Sequence, residues 1–372
     1  MTSEAKPAKV TIREVAARAG VGIATASRAL NGEAEVSDST RRRVLDASVS
    51  LGFRHSSVAR GLKRGTTDNI GVAVMSRHAP VILNPFYTEV IGGIEEVLEA
   101  ADKHLLLSSL KRREELLDLA QEGRVDGLLV VGCDVSDEVL AKLLERRVPV
   151  VLIDHAFEGL PSVVSDHELA GRQAARHLLQ GGGRRFAFVA ENLENPNFGA
   201  RLAGFRAELA AAGFALDPRA IAAGGDAWDG GFYAMEQILD RLPEAPDAVF
   251  AANDPAAMSA AKALAARNLR VPHDVALIGV DDIHLAAYQE PPLSSVRVDK
   301  QGLGREGARL LLERLAGREV PLRTTLTTEL VPRATTRWTA GGTSQLGSTA
   351  AAGPAVPITG AAGAKRKEQG DA

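Results

Sequence analysis

The chain is poor in cysteine and lacks long apolar runs. Cys133 is its single cysteine, which excludes an intrachain disulfide and any metal site built from several cysteines. No stretch approaches the roughly 18 consecutive apolar residues of a membrane-spanning helix. Residues 1–9 are charged and lack the apolar segment of a secretory signal. We therefore expect a cytoplasmic protein that makes no membrane contact.

The charges are distributed unevenly along the sequence. Residues 1–65 contain 12 Lys or Arg and 6 Asp or Glu, whereas the remainder contains 32 basic and 41 acidic residues. A basic segment fits a polyanionic partner such as a nucleic acid, and an acidic body does not. The length of 372 residues exceeds what one core usually supports. We therefore expect two or three folding units, of which the first binds a polyanion.

The first fifty residues predict three short helices. An apolar stripe with helical spacing begins after Thr11, which forms a capping box with Glu14. Gly20 breaks this helix, a second one is predicted over residues 23–30, and Ser37 caps a third. Two short helices joined by a tight turn are the helix-turn-helix arrangement, whose second helix enters the DNA major groove.

Beyond residue 68, short apolar runs alternate with amphipathic helices. Strands buried on both faces read as continuous Val, Ile and Leu runs, and helices between them indicate crossovers in parallel sheets. The predicted strands cover residues 70–74, 105–107, 127–131, 148–153, 186–189, 248–251 and 275–280. This pattern favours two doubly wound α/β halves over a single sheet.

Several motifs resemble one known family. Residues 10–31, Val-Thr-Ile-Arg-Glu-Val-Ala-Ala-Arg-Ala-Gly-Val-Gly-Ile-Ala-Thr-Ala-Ser-Arg-Ala-Leu-Asn, are similar to the opening of the lactose/galactose repressor family. Further similar segments follow in chain order: Val-Ala-Arg-Gly-Leu at 58–62, Asn-Pro-Phe-Tyr at 84–87, Arg-Val-Asp-Gly-Leu-Leu at 124–129, Arg-Leu-Ala-Gly-Phe at 201–205, Ala-Asn-Asp at 252–254 and Leu-Ile-Gly-Val-Asp at 277–281. The resemblance covers about residues 10 to 337.

The resemblance implies an α/β architecture with a separate headpiece. A three-helix helix-turn-helix unit precedes a two-lobed periplasmic-binding-protein-like domain of two doubly wound parallel sheets. The implied parts are a headpiece at 1–54, a hinge helix and linker at 55–67, an effector-binding and dimerisation domain at 68–337 and a disordered tail at 338–372. Within the large domain, the N-subdomain covers about 68–167 and 294–325, and the C-subdomain about 168–293 and 326–337.

The resemblance also implies which headpiece residues meet DNA. Ile23, Ala24 and Arg28 occupy the base-reading positions, and Arg28 can pair with guanine O6 and N7 through two hydrogen bonds. Ile23 and Ala24 offer only apolar contact, so one arginine reads most of the site. Gly22 replaces a frequent capping serine, a loss of up to about 1 kcal/mol. Thr25, Ser27 and Asn31 match family positions that contact the DNA phosphate backbone. Such contacts set the register of the protein on the duplex and do not read its sequence.

A hinge helix is predicted over residues 56–63. Leu62 matches the wedge leucine that similar proteins insert into the minor groove at the operator centre. His55 and Ser56 replace a frequent Pro-Asn pair, and Gly61 lies within the helix. A helix this short is marginal in water, so we expect it to form only with support from a partner.

The resemblance places a small-molecule effector in the cleft between the two lobes. Phe86 and Trp228 are candidates to stack on a sugar ring, with core packing as the alternative for each. Asn195 and Asn197 lie in the loop that carries specificity in purine-responsive relatives. The candidate hydrogen-bonding residues are Asp154, Arg201, Asn253, Asp254 and Asp281. A surface or hinge ion pair is the alternative for Arg201 and Asp281.

The function implied is that of a DNA-binding transcription regulator, most simply a repressor. A homodimer binds a near-palindromic operator in double-stranded DNA, and an effector, expected to be a sugar, controls that binding. No metal or cofactor is expected. The alternative is a cytosolic sugar receptor of the same fold without specific DNA binding. A transporter-linked receptor fits less well because it predicts a signal peptide and no basic headpiece.

An enzyme is the third hypothesis, and it depends on one glycine motif. Residues 302–307, Gly-Leu-Gly-Arg-Glu-Gly, satisfy the G-x-G-x-x-G pattern of dinucleotide-binding folds. The motif comes near the end of the chain, where too little sequence remains for the rest of a nucleotide-binding half. We therefore interpret these glycines as small residues that allow close helix packing. The sequence supplies no nucleophile-base pair.

Overall fold

A computed structural model describes residues 10–31, 33, 35–53, 66–75, 81–110, 114–121, 123–225 and 228–336. The structural statements below concern these residues. The predicted hinge, with His55, Ser56, Gly61 and Leu62, lies outside them, as does the predicted tail at 338–372.

The headpiece consists of three helices: α1 (Ile12–Ala19), α2 (Ile23–Leu30) and α3 (Asp38–Ser50). The predicted caps are present. The Glu14 carboxylate accepts a hydrogen bond from the backbone N–H of Thr11 at 2.6 Å, and the Ser37 hydroxyl accepts one from Thr40 at 3.4 Å. Gly20 ends α1 in the left-handed conformation, with φ of +66°. The helices share a small apolar core that includes Val15, Ala26, Ala29 and Val44.

The remaining described chain alternates strands and helices. The strands are β1 (Asn69–Met75), β2 (His104–Leu110), β3 (Gly127–Val131), β4 (Val150–Ile153), β5 (Ser162–Ser165), β6 (Phe186–Ala190), β7 (Ile221–Ala223), β8 (Ala248–Ala251), β9 (Ala276–Asp281), β10 (Ser294–Val298), β11 (Arg323–Leu326) and β12 (Thr328–Val331). The helices are α4 (Pro85–Ala100), α5 (Glu114–Gln121), α6 (Asp137–Glu145), α7 (His167–Gln180), α8 (Pro196–Ala211), α9 (Gly230–Arg241), α10 (Asp254–Ala266) and α11 (Lys300–Leu315). Short 3-10 helices occur at Val81–Leu83, Pro218–Ala220 and His284–Tyr288.

The strands form two six-stranded sheets, which confirms the prediction of two α/β halves. The first has the order β11-β5-β4-β3-β1-β2 and is parallel throughout. The second has the order β12-β10-β9-β8-β6-β7 and is parallel except for the edge strand β12, which runs antiparallel to β10. We call the sheets with their helices the first and second lobes. The strands that sequence analysis did not predict, β5, β7, β10, β11 and β12, are three to five residues long.

The chain crosses between the lobes three times. It passes from β5 into α7 at Asp166, from β10 into α11 at Asp299 and from β11 into β12 at Thr327. The sequence-based boundary at residue 294 is therefore wrong by about five residues, because β10 pairs with β9 in the second sheet. The strand reads Ser-Ser-Val-Arg-Val, which lacks the continuous apolar run expected of a buried strand.

Glycines bring two pairs of helices into backbone contact. A Cβ at Gly304 of α11 would overlap the carbonyl oxygen of Val90 in α4, and one at Gly93 would overlap that of Gln301. Gly171 of α7 meets α8 in the same way. The G-x-G-x-x-G motif thus lies inside α11 and serves helix packing, as the sequence analysis interpreted it. Among the described residues, no helix combines the length and apolar character needed to cross a bilayer.

Candidate nucleic-acid interface and inter-lobe cleft

Helix α2 presents the three predicted base-reading residues on one accessible side. Ile23, Ala24 and Arg28 are exposed, while Ala26 and Ala29 are buried against the headpiece core. The three side chains are therefore accessible to a partner outside the headpiece. Contact of these three side chains with bases stays a prediction.

The predicted backbone-contacting residues lie beside that face. Thr25, Ser27 and Asn31 are half-buried, and the Asn31 amide donates to the Ser27 hydroxyl at 3.5 Å. As the sequence indicated, Gly22 gives α2 no side-chain cap. The N–H groups of its first turn are therefore available to an anion such as a phosphate.

Sequence analysis missed a carboxylate next to Arg28. The Glu35 carboxylate lies 3.3 Å from the Arg28 guanidinium, and both side chains are largely exposed. Exposed ion pairs contribute about 0–1 kcal/mol, so Arg28 can exchange Glu35 for another acceptor at small cost. The ion pair with Glu35 therefore orients the Arg28 side chain and still allows it to move.

The polar residues of the cleft stand at the carboxyl ends of parallel strands. Asp154 follows β4 of the first lobe, while Glu191 follows β6 and Asp281 ends β9 of the second. Ligands of open α/β sheets bind at this edge because the connecting loops converge there. Two of the three have a left-handed backbone, with φ of +59° at Asp154 and +107° at Asp281. Such strained non-glycine residues concentrate at functional sites.

Arg201 in α8 is the centre of a buried polar network. The side chain donates to Asp281 at 3.1 Å, to Nδ1 of His167 at 3.4 Å and to the carbonyl oxygen of Ala252. Burial raises the pKa of Asp281, and the positive charges of Arg201 and Lys300 oppose that rise. Arg201 and Asp281 thus form an ion pair, as the alternative interpretation allowed, but the pair is buried at the strand ends. Such a buried pair is weak evidence for stability, because its desolvation offsets much of the attraction between the charges.

The network crosses from the second lobe to the first through His167. A guanidinium can only donate hydrogen bonds, so Nδ1 of His167 accepts from Arg201 and Nε2 carries the proton. That Nε2 donates to Asp154 Oδ1 at 3.0 Å. The Asn197 amide donates to the other carboxylate oxygen of Asp154 at 2.9 Å. Asp154 is therefore held from two directions by residues of the opposite lobe.

Lys300 makes a second connection between the lobes. It is the first residue of α11, is 3 % exposed and donates to the backbone carbonyl oxygens of Asp281 and Asp282. Its ammonium lies 3.5 Å from the Glu89 carboxylate of α4. Burial raises the pKa of Glu89, and Lys300 opposes this rise. A movement between the lobes must rearrange these contacts.

Four predicted effector residues are placed differently from the network. Asp254 is fully buried, and its carboxylate accepts from Ser295 and from the backbone of Ile283, so it supports the β9 end from within the lobe. Asn195 caps α8 through its carbonyl oxygen. The last two differ in burial: Phe86 is 9 % exposed and Trp228 is 45 % exposed. The Trp228 side chain is thus partly accessible, whereas Phe86 packs edge-to-face on Tyr87.

Asn253 supports a residue that sequence analysis did not select. Its carbonyl oxygen caps α10 by accepting from the N–H of Ala256 at 2.9 Å, and its amide donates to Glu191 at 3.0 Å. The structure thus brings together Asp154, Asn197, Arg201 and Asp281, and it places Asn253 beside Glu191. Within the described part of the chain, no group of three or more His, Cys, Asp or Glu side chains is arranged to hold a metal ion.

Comparison with known proteins matches both parts of this architecture. A family described as bacterial regulatory proteins, lacI family, matches residues 11–56, and a periplasmic binding protein-like domain matches residues 175–336. The transcriptional regulator CelR of Thermobifida fusca is 34 % identical over 336 residues, covering 87 % of this chain and 97 % of that protein. The chain belongs to the lacI family of bacterial regulatory proteins. Catabolite control protein A of Priestia megaterium is 33 % identical over 309 residues. That alignment covers 81 % of this lacI-family chain and 91 % of the relative.

Solved structures of lacI-family relatives have the same fold. The complex of CelR with cellobiose superposes with a TM-score of 0.68 at 34 % identity, over 88 % of this chain and 100 % of that one. The lac repressor dimer bound to operator and the anti-inducer ONPF superposes with a TM-score of 0.77 at 27 % identity. The superposition covers 88 % of this chain and 99 % of the lac repressor chain. The chain therefore has the fold of the lacI-family regulators, with a helix-turn-helix headpiece and two α/β lobes.

The residues missed by sequence reasoning fall into two groups. Glu191 directly follows the buried strand β6, so a search for polar residues at the ends of predicted strands would have found it. His167 and Lys300 are first residues of helices that follow a lobe crossing. Nothing in the local pattern marks these crossings, because each requires knowing which sheet the preceding strand joins. For this lacI-family chain, the inter-lobe contacts had to come from the structure.

Proposed function

We propose that this lacI-family chain is a transcription repressor that binds a near-palindromic operator as a homodimer under control of a sugar. The sugar occupies the cleft between the lobes. The observation that carries the proposal is the buried hydrogen-bond chain from Arg201 through His167 to Asp154. It joins the two lobes at the strand ends, so a ligand that competes for these groups changes the relation between the lobes.

The chemistry of the cleft fits a polyhydroxyl ligand. Carboxylates accept from hydroxyl groups, and the guanidinium and amide groups of Arg201 and Asn197 donate to them. Trp228 supplies an exposed aromatic face for the C–H surface of a sugar ring. The relative CelR is solved with cellobiose, which supports a saccharide over a purine. We place this activity in the cytoplasm and propose that it needs no cofactor.

Selection of duplexes by the full chain tests the proposal. From a random pool, the protein is expected to enrich a near-palindrome with a guanine in each half-site, where Arg28 reads it. Glucose, cellobiose or another saccharide in a panel is then expected to change operator affinity by about 5- to 150-fold. If the protein binds a saccharide but enriches no duplex sequence, the alternative of a sugar receptor without specific DNA binding holds instead.

The homodimer has a candidate surface on the second lobe. The 3-10 helix His284–Tyr288 exposes two large apolar side chains, Leu285 at 45 % and Tyr288 at 73 %. We propose that a second copy of the chain covers this face, since the similar lac repressor is solved as a dimer on its operator. A two-fold axis places the same patch on both subunits.

Tyr288→Asp is expected to convert the dimer to a monomer in sedimentation experiments. Operator affinity should fall at least tenfold, because linking two headpieces supplies the effective concentration that one headpiece lacks. Saccharide affinity should stay within twofold, since Tyr288 lies outside the cleft network. Tyr288→Phe keeps the apolar face and serves as the matched control. A Tyr288→Asp protein that sediments as a dimer at micromolar concentration would place the interface elsewhere.

A further inference from the structure

Glu191 has one satisfied and one unsatisfied carboxylate oxygen. Oε1 accepts the hydrogen bond from the Asn253 amide at 3.0 Å. Oε2 is inaccessible to solvent and has no hydrogen-bond partner. A buried acceptor without a partner costs about 1–3 kcal/mol, and few such atoms occur in folded proteins. This one therefore requires an explanation.

The surroundings of Glu191 hold its side chain at the cleft edge. Asn253 cannot turn its amide away, because its carbonyl oxygen is fixed as the cap of α10. On the other side, a Cβ at Gly230 would lie 3.1 Å from Cγ of Glu191, so glycine at the start of α9 leaves the room that this side chain occupies. The first residues of α10 and α9 thus fix the position of the Glu191 side chain. Rotation about its last side-chain bond has a broad energy minimum, so Oε2 can still turn toward a ligand donor.

The electrostatic surroundings leave Glu191 without a counter-ion. No cation lies within ion-pair distance of it among the described residues. Burial raises its pKa to about 7, Asp281 adds to this rise, and Arg201 and the hydrogen bond from Asn253 oppose it. A group that titrates near neutral pH at a strand end, with a free acceptor oxygen, is a candidate for ligand binding.

We propose that Glu191, positioned by Asn253, accepts a hydrogen bond from a hydroxyl or amino group of the bound saccharide and so selects its orientation in the cleft. The subsite lies at the carboxyl ends of β6 and β8, on the second lobe. It rests on the proposed function, because it requires a saccharide in the cleft. A ligand donor completes the hydrogen bonding of Oε2, which explains why the oxygen has no partner within the protein.

The test compares wild type with Glu191→Gln by calorimetric titration of glucose, cellobiose and glucosamine. The glutamine oxygen can still accept from Asn253, which turns the new NH₂ group toward the ligand donor. Affinity for the tightest of the three probes is expected to fall at least tenfold, since a charge-assisted hydrogen bond is lost and a ligand hydroxyl can meet the new NH₂ group only by turning round to accept from it. Glucosamine distinguishes an amino from a hydroxyl donor. Glu194→Gln, an exposed carboxylate in the same loop, is the matched control and should bind as wild type.

Deoxyfluoro analogues of the same probe locate the contact. A fluorine accepts but cannot donate, so replacing the hydroxyl that faces Glu191 should weaken binding to wild type at least tenfold. The same replacement should change binding to Glu191→Gln by less than twofold, because the two changes remove one shared interaction. The proposal would be overturned if, for every hydroxyl replaced by fluorine, the loss of affinity were the same in Glu191→Gln as in wild type.

The pH dependence gives an independent readout. A ligand donor favours the carboxylate form, so binding releases a proton and wild-type affinity is expected to fall as the pH drops below about 7. Glu191→Gln should lose this dependence. The other charged groups that face the site, Arg201 and Asp281, are present in both proteins and contribute equally to both profiles.

The outcomes separate this subsite from the proposed function. A probe that binds Glu191→Gln as tightly as wild type overturns the subsite and leaves the repressor proposal standing. Binding of none of the three probes overturns the subsite and the saccharide effector together, while operator selection is scored separately. Thermal unfolding checks the fold: Glu191→Gln should unfold no earlier than wild type. A lower unfolding temperature would assign the carboxylate a structural role instead.

Discussion

Arg28→Ala is expected to reduce affinity for the selected operator by about 5- to 150-fold, equivalent to 1–3 kcal/mol. Arg28 is the one long polar side chain among the three predicted base-reading positions of α2, and it is exposed. Ile23 and Ala24 can only contact a thymine methyl or fill space, so loss of the guanidinium removes most hydrogen-bond readout. Binding to random duplex should stay within about threefold, because that binding depends on phosphate contacts.

The measurement is a fluorescence-anisotropy titration of operator and random duplex at a fixed salt concentration. Arg42→Ala is the matched control, since Arg42 is an exposed arginine on α3 of the same headpiece. If Arg42 contacts phosphate, its removal weakens both duplexes equally. A wild type that binds operator and random duplex with equal affinity would refute sequence reading, and an equal loss on both duplexes for Arg28→Ala would assign Arg28 to the backbone.

Arg201→Met is expected to abolish the response of operator binding to saccharide and to weaken saccharide binding at least about thirtyfold. Arg201 is 2 % exposed and donates to Asp281, His167 and the carbonyl oxygen of Ala252. Its removal leaves the buried Asp281 carboxylate with Lys300 but without its ion-pair partner, and breaking a buried ion pair destabilises a protein by about 3–5 kcal/mol. The unfolding temperature should therefore fall as well.

A double variant separates stability from binding. Arg201→Met with Asp281→Asn removes both charges, so no unpaired charge stays buried, and asparagine tolerates the left-handed backbone of position 281. We expect the unfolding temperature to recover most of the loss while saccharide binding stays absent. Calorimetry and thermal unfolding of the three proteins give both quantities. Recovery of saccharide binding in the double variant would show that the pair has only a structural role.

Local physical rules predicted the headpiece almost completely. The bounds of α2 follow from the Gly20 break and the Asn31-Gly32 stop, and the cap at Ser37 fixed the start of α3. The same rules found the long apolar strands of both lobes. They failed for β10 and β12, which read Ser-Ser-Val-Arg-Val and Thr-Glu-Leu-Val and so lack a continuous apolar run. The interrupted apolar pattern of these short strands set the limit.

The candidate site was predictable in its strand-end residues and not in their partners. Asp154 and Asp281 follow buried strands, which places them at the ligand-binding edge from sequence alone. Asp254 follows a strand end too, yet its side chain turns into the lobe and accepts from Ser295. The direction of a side chain after a strand depends on how the next helix packs, which local sequence does not specify. The pairing of Arg201 with His167 depends in the same way on the packing of α7 against α8.

The order of strands within the two sheets has a consequence for biosynthesis. β11 and β12 are consecutive in the chain, and each supplies an edge strand to a different sheet. Neither sheet can therefore be completed until residues 323–331 have left the ribosome, although the headpiece segment emerges first. A recombinant fragment that stops before residue 323 would lack an edge from both sheets at once, and no uninterrupted stretch of sequence encodes either lobe by itself. The two lobes must therefore finish folding together, late in synthesis.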